Sequence, residues 1–204
     1  MKKSNSSPVI SVIIGAYNCE KTLDVAVESI INQTFKDIEI IICDDGSSDK
    51  TWEILESYLE RDNRIILLKN ELNIGLNKTL NRCASISRGI FLARMDADDL
   101  SNQNRLQKQY DFLVKNQEYS VVGSNMMLFD EKGFWGRTIA REIPRREDFV
   151  FGTQFIHGST MMRNDVFQMV GGYSTDPRTT RVEDFDLWIR FYLMNCIGYN
   201  IQDD

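Results

Sequence analysis

The sequence predicts an α/β fold with a Rossmann-like, mostly parallel central sheet, helices on both faces and a smaller mixed C-terminal part. Three observations support this. Between Val9 and Asp99, apolar runs alternate with segments of helical periodicity, the pattern of repeated β-α units. The runs are apolar along their whole length, as strands covered on both faces are. Three of them end in polar residues, "AYN" at 16–18, "DDGSSD" at 44–49 and "DADD" at 96–99. Right-handed crossovers bring such ends to one rim, where ligands of open parallel sheets bind.

The elements follow in order. "VISVIIGA" (9–16) is the first strand, and Leu23, Val27, Ile30 and Ile31 then recur at helical spacing through "TLDVAVESIINQ". "IEIIICDD" is the second strand. "SSDKTWEILESYLERD" opens on Ser48 and Asp49 as capping residues and carries Trp52, Leu55 and Leu59 on one stripe. "RIILLKN" is the third strand. Leu76, Leu80, Cys83 and Ser87 mark a helix closed by Gly89, and "GIFLARMD" is the fourth strand. Beyond Asp99 the spacing predicts a helix over "NRLQKQYDFLVKN", strands at "YSVVGS" and "NMMLFD", and a turn at "DEKG" before "FWGRTIAREI". A short charged helix follows Pro144. "FIHGSTMMR" reads as a strand, "NDVFQMVGG" as a helix ended by Gly171 and Gly172, and "VEDFDLWIRFYLMN" as a last helix.

At 204 residues the chain suits one domain, 1–204, with a nucleotide-binding half over 8–99 and an acceptor and catalytic half over 100–204. Its formal charge of −6 argues against a basic nucleic-acid face. Cys19, Cys43, Cys83 and Cys196 are too scattered for a zinc site or disulfide framework, which suits a reducing compartment. The start, "MKKSNSSPVISVIIGAYNC", has too short an apolar run for a signal peptide and reads as the approach to the first strand. No run is long enough to span a bilayer.

Five stretches offer chemistry. On a strand, Asp96 and Asp98 would face the same side and form a pair of hard oxygen ligands for Mg²⁺ or Mn²⁺. A turn and a helix cap account for one aspartate of "DADD" but poorly for three. Asp44 and Asp45 end the second strand. The first turn, "IGAYNCEKT", supplies neither G-x-G-x-x-G nor a P-loop, so a diphosphate here would need a metal. Tyr17, after Ala16 at the first strand's end, can stack on a base or pack beneath a loop; the residues alone leave both open. Glu183 and Asp184 open a helix, where carboxylates are often dipole partners and sometimes a general base. His157, the sole histidine, is of a kind more often structural, although glycine and hydroxyl neighbours leave a pocket role open.

With these residues assembled, the sequence resembles the family 2 glycosyltransferases of the GT-A fold, of the bacterial surface-polysaccharide type. The likeness runs from about Val9 to Arg190 and rests on an ordered set: "SVIIGAYNCEKTL", "DDGSSDKT", "NIGLNKTLNRC", "RMDADD" as the DxD motif and "VEDFDLWIR" as the ED motif. The resemblance implies an inverting transferase that moves a sugar from a nucleotide-sugar, with UDP as the expected nucleotide, to a glycan or lipid-diphosphate-linked acceptor. By it, Tyr17 and Asp44 contact the base with Asp45 supporting, and Ala16 belongs to the nucleotide-sugar site. Asn73 and Gly75 lie over the nucleoside, Asp96 reaches ribose and metal, and Asp98 holds the Mn²⁺ or Mg²⁺. Asp184 becomes the base for the acceptor hydroxyl, with Glu183 beside it.

Gly15 stands where the family usually has proline, and "NQN" at 102–104 lacks the proline often found after DxD. Family members commonly continue beyond the ED helix, so the chain is expected to be truncated. A further C-terminal segment is expected to shape the acceptor site or approach the membrane, and the protein is expected in the cytoplasm or at the inner face of its membrane. The alternative is a nucleotide-sugar binding module without turnover. A nucleotidyltransferase would need a glycine-rich basic loop that "GAYNCEKT" does not offer.

Overall fold

A computed structural model describes residues 7–202; the first six residues of the N-terminal stretch considered as a leader lie outside the described residues. The first half alternates as expected: β1 (Ile10–Ala16), α1 (Leu23–Ile31), β2 (Ile38–Asp44), α2 (Thr51–Leu59), β3 (Ile65–Lys69), α3 (Leu76–Ser85) and β4 (Phe91–Asp96). The second half adds α4 (Arg105–Lys115), β5 (Tyr119–Ser124), β6 (Met126–Asp130), β7 (Gly133–Thr138), β8 (Met161–Arg163), α5 (Asn164–Met169), α6 (Glu183–Leu193) and β9 (Ile197–Ile201). Seven strands form one sheet in the order β3-β2-β1-β4-β8-β5-β9, and β6 pairs with β7 in a separate antiparallel hairpin.

Alternation along β1 divides the core in two. Ile10, Val12 and Ile14 join Leu23, Val27, Leu55 and Leu106 under α1, α2 and α4. Ile13 faces the other way, toward Leu80, Phe167, Leu187 and Trp188 of α3, α5 and α6. Helices therefore cover both faces, which is why the strands read as unbroken apolar runs. The buried Glu39 on β2 accepts hydrogen bonds from Ser11 Oγ at 2.6 Å and from Arg88 Nε and Nη2 at 2.9 and 2.7 Å, so its charge is paired inside the sheet.

The register delivers the predicted rim. Ala16 stands opposite Asp44 and Gly15 opposite Asp96, all in parallel ladders. β8 alone runs against its neighbours, pairing Ala93 with Met161 on one side and Val122 with Met161 on the other. Among the described residues no helix is long and apolar enough to cross a membrane.

Three sequence expectations change. Gly89 does not close α3, which stops at Ser85. Instead Gly89 N donates to Ser11 Oγ at 2.8 Å, and a Cβ at Gly89 would meet Ser11 N at 2.5 Å; the glycine answers to close approach of two backbone segments. "FIHGSTMMR" is mostly not a strand. Its middle forms a 3-10 turn at His157–Ser159, closed by Ser159 Oγ donating to Ile156 O and Thr160 Oγ1 to His157 O, at 2.8 and 3.0 Å. β4 ends at Asp96, so Asp98 lies in the following turn and the two-residue strand period does not relate them.

Candidate active site

The site is built on the carboxyl ends of β1, β2 and β4. Asp44, fully buried, accepts Ser47 N on Oδ1 at 3.2 Å, while Oδ2 has no partner among the described residues. A buried carboxylate oxygen without a donor carries a desolvation cost that a ligand N–H would relieve. Its neighbour Asp45 is fully engaged. It accepts Asn70 Nδ2 and Ile74 N on Oδ1, at 2.8 and 2.9 Å, and Gly75 N on Oδ2 at 3.0 Å. Asp45 therefore holds the 70–75 loop against the strand end and has no oxygen to spare.

Gly46 makes that docking possible. Its φ of +71° lies in the left-handed region, and a Cβ there would meet the Leu72 backbone carbon at 2.6 Å. Gly75, φ +92°, opens α3 into free space, and its N–H is also within 3.1 Å of Asn73 Oδ1. Ala16 is buried, and its carbonyl accepts Asp45 N at 2.8 Å. Tyr17, half-exposed, stands at the mouth of a cleft of about 590 Å³ that Gly15, Asn18, Thr22, Asp96 and Asp98 also line.

The aspartates at the end of β4 have three different surroundings. Asp96 is ion-paired to Arg94, a guanidinium 1% exposed in the body of the sheet. Thr22 Oγ1 pins the intervening turn by donating to Ala97 O at 3.1 Å, leaving Asp98 exposed at the cleft. Asp99 is half-buried, and burial, then the charges of Asp96 and Asp98, push its carboxyl up. Gly158 lies between them: a Cβ on it would meet Asp96 Oδ2 at 2.6 Å and Asp99 Oδ2 at 2.8 Å. Among the described residues no three His, Cys, Asp or Glu side chains group to hold a metal. Asp98 and Asp96 instead offer two hard oxygen donors at an open cleft, a set that suits Mg²⁺ or Mn²⁺ when phosphate oxygens and water supply the remaining ligands.

Glu183 and Asp184 form the first turn of α6. Glu183 lines a small cleft with Gly75, Asn77 and Arg181, and Asp184 Oδ2 lies 3.3 Å from Thr153 Oγ1, whose one proton is divided between it and Phe155 O at 3.1 Å. The third acid of that turn, Asp186, is committed to Arg190, whose Nε and Nη2 donate at 2.9 and 2.7 Å. His157 faces inward, with Nε2 at 2.7 Å from Tyr173 Oη and its ring edge-on to Trp188. Burial, then the Arg94 charge, holds the imidazole well below the usual histidine range, and burial pushes the Tyr173 phenol up. The pair is neutral and joins the His157–Ser159 turn to α6. Sequence reasoning passed over Arg94 and Thr153. Arg94 had a signal, a lone cation inside an apolar run two residues ahead of an acid; Thr153 had none.

An α/β sheet with acids at its carboxyl rim, a second acid pair on a late helix and a mixed edge beyond is the architecture of the GT-A glycosyltransferases. The chain belongs to glycosyl transferase family 2, whose model matches residues 11–173. A Bacillus subtilis protein carrying the glycosyltransferase name EpsE is 44% identical over 200 residues, covering 98% of this chain and 72% of its own length. The Escherichia coli UDP-Glc:alpha-D-GlcNAc-diphosphoundecaprenol beta-1,3-glucosyltransferase WfaP is 41% identical over 105 residues, 52% of this chain and 41% of that protein. Staphylococcus aureus TarS 1-349 in complex with UDP superposes with a TM-score of 0.79 at 21% identity, over 96% of this chain and 58% of that one, a likeness of fold.

Proposed function

We propose that this glycosyltransferase moves a sugar from a UDP-sugar to a hydroxyl of a lipid-diphosphate-linked saccharide, with inversion at the anomeric carbon. The observation that supports this best is the buried, unpartnered Oδ2 of Asp44 at the end of β2, an acceptor suited to the N3–H of uracil. The names of similar proteins agree: TarS is described with UDP, and WfaP is named a beta-1,3-glucosyltransferase from UDP-Glc to alpha-D-GlcNAc-diphosphoundecaprenol.

Residues 8–99 then form the nucleotide half and 100–204 the acceptor and catalytic half. Tyr17 stacks on the base, and Asp45 keeps Asn73 and Gly75 over the nucleoside. Asp96 reaches the ribose and, with Asp98, holds a divalent cation. Bound there, Mn²⁺ or Mg²⁺ supplies counter-charge to the departing diphosphate. Asp184, oriented by Thr153, takes the proton of the acceptor hydroxyl. That oxygen bonds to the anomeric carbon as the bond to the diphosphate breaks on the opposite face, and UDP leaves. Glu183 flanks the base. The reaction belongs to the cytoplasmic side of the membrane.

The test is a panel of nucleotide-sugars scored for thermal stabilisation with Mn²⁺, Mg²⁺ or EDTA, since a ligand of the folded state raises its stability. Transfer to a saccharide-diphospholipid is assayed alongside. Metal-dependent stabilisation by UDP-sugars with β-linked product is expected. Stabilisation without transfer to any acceptor would reduce the protein to a binding module, and no response to any nucleotide would refute the donor site.

A further inference from the structure

Beside the contact of Asp96 and Asp99 with Gly158 opens a second cleft, of about 510 Å³, lined by none of the residues assigned so far to donor or catalysis. Asp99 and Gly158 belong to its wall, so it adjoins the donor site. Its floor is Arg105, the first residue of α4, 8% exposed. Arg105 Nη1 donates to the carbonyls of Arg94 and Gly158, at 3.0 and 2.9 Å, which fixes the guanidinium plane. The other edge, Nε and Nη2, has no partner among the described residues. That edge carries the parallel N–H pair that matches an oxyanion. Burial pulls Arg105 down to about 10, against the opposing charges of Asp99 and Asp96.

Beside the hydroxyls and amides of Ser101, Asn102, Ser124, Asn125 and Ser159, the rest of the lining carries cationic and apolar side chains. Lys108 and Arg137 add cationic side chains, against Asp99 as the single carboxylate of the lining. The outer wall is the β6–β7 hairpin, where Met127 stands opposite Arg137 and Phe129 opposite Phe134. These three apolar side chains line the cleft and are each more than half exposed. A nucleotide is already provided for at the other cleft. A fixed guanidinium with an unpartnered edge, next to an open apolar wall, matches an amphiphile with an anionic head.

We propose that this cleft seats the diphosphate and the first isoprenoid units of the acceptor's lipid carrier. The diphosphate supplies the counter-charge to Arg105, the hydrocarbon lies along Met127, Phe129 and Phe134, and the saccharide extends past Asp99 and Gly158 toward Asp96. This assignment rests on the transferase reading above.

Farnesyl diphosphate is the probe, titrated calorimetrically in EDTA so that no metal at Asp98 can hold its diphosphate. Farnesol, inorganic diphosphate and phosphatidylglycerol vesicles are the comparison ligands. Farnesyl diphosphate should bind more than roughly tenfold more tightly than farnesol or inorganic diphosphate. Phe134→Ser and Arg137→Glu, both at exposed hairpin positions, should each weaken it by roughly tenfold or more and leave UDP affinity in Mn²⁺ unchanged. Equal binding of farnesol, unaltered binding in either variant, or vesicle binding as strong as that of the probe would overturn the assignment. Failure of the parent protein to bind UDP would instead count against the transferase reading, because the probe titration does not use that site.

Discussion

Replacing Asp44 by Asn tests the base-binding reading with almost no change in shape. The side chain is fully buried at the end of β2, and its Oδ1 accepts Ser47 N at 3.2 Å. An asparagine oxygen can keep that contact, which turns the amide NH₂ toward the place of the unpartnered Oδ2. An acceptor facing uracil N3–H thereby becomes a donor. A hydrogen bond to a charged group contributes about 1.5–3 kcal/mol, so UDP should bind roughly 10- to 150-fold more weakly. Cytosine presents an acceptor at N3, so CDP should gain on UDP in the same variant. Isothermal titration of UDP and CDP in Mn²⁺, before and after substitution, reads both effects. Unchanged UDP affinity, or equal losses for the two nucleotides, would refute the assignment of Asp44 to the base.

Three further outcomes are expected. Asp98→Ala should abolish the gain in UDP affinity that Mn²⁺ brings and leave the weak binding seen in EDTA as it was; titration with and without metal checks this. Asp184→Asn should retain donor affinity while transfer falls by about 10²–10⁴, the usual contribution of a general base, so near-normal turnover would remove Asp184 from that role. For His157, burial and Arg94 keep the imidazole neutral in the folded chain. Below about pH 6.5 the unfolded chain binds a proton that the folded chain refuses, so stability should fall by up to about 1.4 kcal/mol per pH unit until the depressed folded value is reached. His157→Gln should flatten that slope in urea unfolding between about pH 7.5 and 5.5; equal slopes would show that another group governs it.

The first four strands and three helices were legible because each carries one clear period, set by a sheet covered on both faces. β9 was not. Its buried positions are Gly198 and Asn200, while Ile197 is partly exposed, so its hydrophobic pattern runs opposite to its burial. Phe155 explains the glycine: a Cβ at Gly198 would meet its ring at 2.4 Å. The turn at His157–Ser159 was hidden for a related reason, since Gly158 is small on account of Asp96 and Asp99, residues about sixty positions earlier. At the site, residue types pointed to the acids but not to their division of labour. Asp44 and Asp45 look equivalent in "CDDG", yet one spends both oxygens on the 70–75 loop and the other keeps one open. Likewise Asp186 resembles Asp184 in sequence and is taken by Arg190 one turn later.

The single reversed strand has a consequence for how the molecule can vary. Parallel strands furnish the rim with the segments that leave them, whereas β8 furnishes it with the segment that enters, so that Thr160 O receives Arg94 N at 2.8 Å. Two independent stretches of chain thus meet at one boundary, which at Gly158 is a backbone without a side chain. The hairpin and the connection that follows it can change length or composition without shifting the register of β1, β2 and β4. One wall of the reaction chamber is free to diversify while the opposite wall stays fixed by its ladders.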